Sequence, residues 1–231
     1  MTIEVKLTKD EEAILLGNLL GDGHIQKRNT SYRTKIQHCI KQEDYVWWKY
    51  KKLKRLCFDY TYPKKTKTKQ NSINYYFFLK SGFYLKKYHD LFYQEYSWKS
   101  SNKEELTKKN KVKIRYKKTI TKELIDFLPK DPLILAVWFM DDGHCRTDSF
   151  SGKLGTYAFS KDEQLLLQDY IYSMFNIKTN IVLASRLKNQ YYLSIPGKNK
   201  NFENFVDLIK PFIDEVPSMS YKIKNPKVSN K

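Results

Sequence analysis

The chain has 231 residues and sets 43 Lys and Arg against 25 Asp and Glu, a formal charge of +18 that excludes an ordinary balanced surface and implies a polyanionic partner. Its three cysteines, Cys39, Cys57 and Cys145, lie far apart with no CxxC pair, which excludes a disulfide framework or zinc knuckle and leaves free thiols. No apolar run approaches the roughly 18 to 20 residues of a bilayer span, and Met1 to Asp10 has no apolar signal core, so a soluble chain with no membrane partner and no cleaved leader is expected.

In chain order, Thr8-Lys9-Asp10-Glu11 has capping-box spacing and opens an apolar helix that runs to Gly21-Asp22-Gly23-His24. Ser31 to Ile40 alternates Arg33, Lys35 and Gln37 with Tyr32, Thr34, Ile36 and His38, a strand with one wet, charged face. Asp44 to Cys57 has a helical stripe of Val46, Trp47, Tyr50, Leu53, Leu56 and Cys57, Ser72 to Lys80 is an aromatic strand, and Phe83 to Tyr96 is expected to be a further helix. Residues 108–118 then carry seven basic residues among eleven. Asp131-Pro132, a cap and a first-turn proline, opens a second apolar helix that runs to Met140-Asp141-Asp142-Gly143-His144. Beyond it a strand is expected over Leu154 to Ser160, a helix over Lys161 to Phe175, a hairpin over Asn180 to Arg186 and Gln190 to Ile195, and a helix over Phe202 to Ile213.

Ile14 to His24 and Ile134 to His144 are thus the same feature repeated 120 residues apart. An isolated Asp-Gly after an apolar helix is an ordinary turn. Two copies, each placing a carboxylate at the negative end of a helix, point to a bound cation. A repeat of near-domain length present twice implies a duplicated pseudodimer, here divided as a first repeat over 1–100, a basic linker over 101–119 and a second repeat over 120–231. Residues 1–130 hold 30 of the basic and 14 of the acidic residues, so the first repeat and the linker carry most of the attraction for a polyanion. Gly17 and Gly21 are four apart and share a helix face, which allows a partner helix to approach closely and brings Asp22 near Asp142. The second copy departs from this pattern at Val137 and Asp141, so the packing is expected to be less symmetric than in a homodimer.

Leu15 to Gly23 and Leu135 to Gly143 resemble degenerate LAGLIDADG motifs. With Lys117-Lys118-Thr119-Ile120, Trp138 to Gly143, Leu208-Ile209-Lys210-Pro211 and Tyr221-Lys222, the chain is similar over roughly Thr8 to Asn225 to the monomeric two-repeat LAGLIDADG homing endonucleases of the I-SceI type. The resemblance implies an α+β fold of duplicated αββαββα repeats, with the motif helices packed at the centre and antiparallel sheets forming a DNA-binding saddle. It implies a site-specific endonuclease that cuts both strands of a long asymmetric duplex as a monomer. Asp22 and Asp142, helped by main-chain carbonyls of Gly21 and Asp141, would hold Mg²⁺ or, as a substitute, Mn²⁺, and Lys118 and Lys222 match the active-site lysines of the group. Asp141 itself is expected to serve as a carbonyl donor or cap. An RNA maturase assisting intron splicing, with intron RNA as partner, and a non-catalytic DNA-binding regulator are the alternatives.

For direct readout of bases the candidates are Arg33, Lys35, Gln37, Lys67, Lys69, Asn180, Arg186 and Lys188, with Lys111, Lys113 and Arg115 on phosphate. Magnesium prefers oxygen, so His24 and His144 are expected to meet DNA phosphate or loop backbone instead of metal. His38 and His89 are read as structural, and the aromatic residues as mostly core. The abundance of Lys, Asn, Tyr, Phe and Ile over Gly and Ala suggests an A+T-rich coding sequence, hence an intron-encoded protein of a chloroplast or mitochondrion, with phage or bacterial introns as the other source.

Overall fold

The structure is a computed structural model that describes residues 5–68, 71–98 and 113–225. Helix α1 (Lys9–Leu20) starts at a reciprocal capping box in which Thr8 Oγ accepts from Glu11 N–H at 3.3 Å and Glu11 Oε2 accepts from Thr8 N–H at 2.8 Å. Strands β1 (His24–Lys27) and β2 (Tyr32–Cys39) follow, then α2 (Glu43–Leu53), β3 (Lys64–Lys67), β4 (Ile73–Phe78) and α3 (Lys86–Phe92). After β5 (Tyr93–Trp98), β6 (Lys113–Lys118) and a short α4 (Lys122–Phe127), the second unit runs α5 (Pro132–Asp142), β7 (Gly143–Cys145), β8 (Gly152–Leu154), α6 (Lys161–Phe175), β9 (Asn180–Ser185), β10 (Gln190–Ile195) and α7 (Asn201–Ile213). The order αββαββα therefore occurs twice in an α+β fold, with two antiparallel sheets of equivalent order, β1-β2-β4-β3 and β7-β8-β10-β9. Among the described residues no helix is long and apolar enough to cross a membrane.

The core is organised around α1 and α5. Both are apolar on nearly every side, and residues Ala13 to Leu20 and Leu133 to Met140 are buried throughout, as suits helices enclosed by their neighbours. Their contact places equivalent positions of the two repeats against each other. A Cβ on Gly17 would lie 2.6 Å from Ile134 O and 2.8 Å from Val137 Cβ, and one on Gly21 would lie 2.6 Å from Asp141 Cβ. Gly17 and Gly21 thus each receive the side chain that the second motif has at the same place. Gly17→Ala should destabilise the protein by about 1–3 kcal/mol, because the backbone carbonyl of Ile134 cannot yield as a side chain would. A thermal melt unchanged from wild type would contradict this close packing.

Four local features depart from the expectations. Phe83 to Tyr96 is not one helix: a 3₁₀ turn (Phe83–Leu85) and α3 are followed by β5, whose pairing with β6 supplies hydrogen-bond partners that no local period reveals. The strand expected over Leu154 to Ser160 stops at Leu154, because the chain turns there: Thr156 N–H donates back to Leu154 O at 3.0 Å and Phe159 N–H to Thr156 O at 3.1 Å. Helix α4, started by Thr121 Oγ accepting from Leu124 N–H, was not anticipated. Lys113–Lys118, within the segment expected as linker, is β6.

Candidate active site

Both motif helices run into a tight turn. A Cβ on Gly23 would lie 2.3 Å from Asn18 O, and one on Gly143 would lie 2.4 Å from Phe139 O, so only glycine fits directly after each acid. Asp142 is the last residue of α5, whereas Asp22 lies two residues beyond α1. Neither helix has a basic residue in its last turn, so the cations come from elsewhere in the chain.

Lys118, at the end of β6, donates to Gly21 O at 2.9 Å and Gly23 O at 2.8 Å. Lys222, in a C-terminal 3₁₀ turn (Pro217–Lys222), donates to Phe139 O at 3.4 Å, Asp141 O at 3.2 Å and Gly143 O at 3.0 Å. The two lysines therefore occupy corresponding positions over the two helix ends. Burial pushes Lys118 down to about 8 and also lowers Lys222, in each case against the pull of the nearby aspartates.

Burial, with the negative charges of Asp22 and Asp141, pushes the carboxyl of Asp142 up to about 7. Among the described residues, no ion pair or hydrogen bond is made by the carboxylate of Asp22 or of Asp142, whereas that of Asp141 is paired. No group of three or more His, Cys, Asp or Glu that could hold a metal occurs among the described residues. Two unpaired carboxylates beside the carbonyls of Gly21 and Asp141, each of which keeps a second lone pair besides the one its lysine engages, fit a hard divalent ion that takes oxygen ligands and completes its shell with water and substrate phosphate.

The Asp142 shift has a consequence for stability. Between its ordinary value of 3.8 and about 7, Asp142 binds more proton in the folded chain than in the unfolded one, so metal-free stability falls as pH rises across that window. Chemical denaturation at stepped pH should show a flatter slope for Asp142→Asn than for wild type; equal slopes would contradict the crowding of the carboxylates.

A second group, behind these acids, is absent from the expectations. Lys49 of α2 is completely buried, and its ammonium meets Asp141 Oδ1 at 2.7 Å, Asn18 Oδ1 at 2.8 Å and His38 Nε2 at 3.1 Å. Tyr45 Oη adds a bond to Asp141 Oδ1 at 2.9 Å. Burial and the charge of Lys49 hold His38 far below the usual histidine range, so its neutral ring can accept from Lys49. His38 is thus not a solitary structural residue. His89 is enclosed by Tyr32, Tyr93 and Tyr116 and lies 3.3 Å from Asp90. The available signal was a lysine at position 49 inside the stripe Tyr45, Val46, Tyr50 and Leu53, all buried.

Arg33, Lys35 and Gln37 share the outer face of β2, and Arg33 stacks with its guanidinium carbon 3.5 Å from the Phe78 ring centre. Register puts Lys64 and Thr66 on this same face, while Lys67, opposite Ile73, lies on the other. Across the two sheets His24 opposes Lys35 and His144 opposes Lys153, the same pairing in each repeat. Lys153 in turn opposes Ser194, and Ser194 opposes Asn180, so that Asn180 shares the face of His144. Arg186 and Lys188 are exposed in the β9–β10 turn, and Arg115 is exposed on β6. Lys69 and Lys111 lie outside the described residues, as does the side chain of Lys113.

A basic chain folded as two like units, with a pair of acids where the units meet, fits a duplicated metal-dependent nuclease. The model of the LAGLIDADG DNA endonuclease family matches residues 12–202, and the chain belongs to that family. It is 25% identical to DNA endonuclease I-ChuI of Chlamydomonas applanata, over 96% of this chain and 97% of the relative. It is 28% identical to cytochrome b mRNA maturase bI2 of Saccharomyces cerevisiae, over 92% of this chain and 47% of the relative. Among solved structures, the homing endonuclease I-WcaI bound to its DNA recognition sequence matches with a TM-score of 0.72 at 25% identity, covering 96% of this chain and 88% of that one.

Proposed function

We propose that the chain is an intron-encoded homing endonuclease that cuts both strands of a long, asymmetric DNA site as a monomer, with Asp22 and Asp142 as its two metal-holding acids and Mg²⁺ as the working ion, Mn²⁺ substituting. The observation that carries this assignment is the pair of unpaired carboxylates at corresponding helix ends, each with a lysine over the adjoining carbonyls. The units divide as 1–100 and 120–231, joined by the basic segment 101–119. Their outer sheet faces form a saddle over the duplex.

When bound, a divalent ion supplies a water that is nucleophilic near neutral pH and neutralises charge building on the phosphoryl group. The chain does the rest. Asp22, Asp142 and the carbonyls of Gly21 and Asp141 hold the ions. Lys118 and Lys222 bring a fixed positive charge to each scissile phosphate. Arg33, Lys35, Gln37, Asn180, Arg186 and Lys188 face base edges, joined by Lys64 and Lys153, and Arg115 meets phosphate. Because the two faces carry different side chains, the preferred site is not a palindrome.

Lys118→Met and Lys222→Met should each slow cleavage of one strand by on the order of 10²-fold while leaving duplex affinity within a few-fold. Strand-resolved single-turnover assays beside binding titrations test this; equal slowing of both strands by either variant would count against the assignment. An organellar intron, in a chloroplast or mitochondrion, is the proposed genetic source, supported by the A+T-type composition. The similarity to bI2 supports a second role on intron RNA, and the intact acid pair favours the nuclease.

A further inference from the structure

Lys49 has three N–H donors and three acceptors, contributed by Asn18 of α1, His38 of β2 and Asp141 of α5. A tetrahedral ammonium with every donor satisfied in a dry site admits little rearrangement. Its ionic partner is the residue immediately before Asp142, and that residue's carbonyl is one of the oxygens facing Lys222. The corresponding position of the first motif is Gly21, which has no side chain to anchor, so among the described residues no equivalent ion pair lies beside the carbonyl beneath Lys118. The two halves of the catalytic centre are therefore held differently: Lys118 and Lys222 tie both ends through their carbonyls, but only the second is anchored directly by the side chain of Asp141, whereas the first meets Lys49 through Asn18, three residues before Gly21.

We infer that Lys49 is a positioning residue, which by holding the Asp141 carboxylate sets the Asp141 carbonyl and Asp142 and makes the two metal sites, and hence the cutting of the two strands, unequal. The inference rests on Asp22 and Asp142 being the metal-holding acids. Tyr45 takes part through its hydroxyl on the same carboxylate oxygen.

Calorimetric titration of Ca²⁺ into the protein bound to its cleavage-site duplex tests this, with a strand-resolved cleavage assay in Mg²⁺ alongside. Lys49→Met should weaken one Ca²⁺ site by about 10- to 100-fold, the range found for groups that orient metal ligands, and leave the other within threefold. The ratio of the two strand rates should change at least tenfold. Tyr45→Phe, which keeps the ring and its packing, should move both readouts the same way by a smaller factor and covers the case in which Lys49→Met does not fold. Loss of both Ca²⁺ sites in proportion, or no change in Tyr45→Phe and in folded Lys49→Met, would overturn the inference. Failure of the acid assignment reads differently: Asp22→Asn and Asp142→Asn would then bind Ca²⁺ as wild type does.

Discussion

Asp22→Asn and Asp142→Asn should each abolish double-strand cleavage, lowering the rate at the affected strand by at least about 10³-fold, while duplex affinity stays within a few-fold of wild type. The substitution keeps size and shape and removes only the anionic oxygen. Neither carboxylate is in an ion pair among the described residues, so no stranded partner is left behind to unfold the site. Asp142→Asn should even stabilise the metal-free protein above about pH 4, because its carboxylate is crowded by Asp22 and Asp141. Loss of cleavage with binding and stability preserved is the pattern of a residue held for chemistry. Full cleavage of both strands by either variant would remove the acid from the mechanism, and loss of binding would make it a DNA contact.

Lys49→Met should have the opposite profile, a large loss of stability. The charge removed is fully buried, and its absence leaves Asp141 ionised, among the described residues with the Tyr45 hydroxyl at 2.9 Å and the neutral His38 ring at 3.7 Å. Breaking one side of a buried pair costs about 3–5 kcal/mol, which for a chain of this size lowers Tm by roughly 6–20 °C. The paired change Lys49→Met with Asp141→Asn should recover a substantial part of that loss, because no unpaired charge then remains. Differential scanning calorimetry of the two variants decides the point. A single variant as stable as wild type would mean that the interior carries no ion pair, and a double variant no better than the single would mean that packing is what matters at position 49.

The two expectations differ in how far they could be read from the chain. Asp22 and Asp142 are legible because duplication writes them twice, in the same phrase at the same helix end. Most elements are legible for the same reason that Lys161–Phe175 is: a Ser160 cap, an apolar period and a clear stop at Asn176 lie within one local window. β5 is not, since Tyr93–Trp98 becomes a strand only through its partner at Lys113–Lys118. Nor is the Lys49 cluster, whose members Asn18, His38, Tyr45 and Asp141 come from four elements and meet only after the repeats have packed. Lysine within a run of other lysines reads as surface. Its phase among Tyr45, Val46, Tyr50 and Leu53 was the one local clue that it faces inward. The motif glycines lie between these cases: their shared face is evident from spacing, but that Gly17 and Gly21 each accept the side chain of their own repeat counterpart, Val137 and Asp141, is a property of the assembled pair.

The proposed activity is the cutting of both strands of one asymmetric duplex site by means of a divalent ion. Incubation with a randomised duplex library, with and without Mg²⁺, followed by sequencing of the ends, measures it directly. The expected result is Mg²⁺-dependent double-strand ends that converge on a single long, non-palindromic sequence. Binding without cutting under both conditions, or ends scattered without a common site, would contradict it.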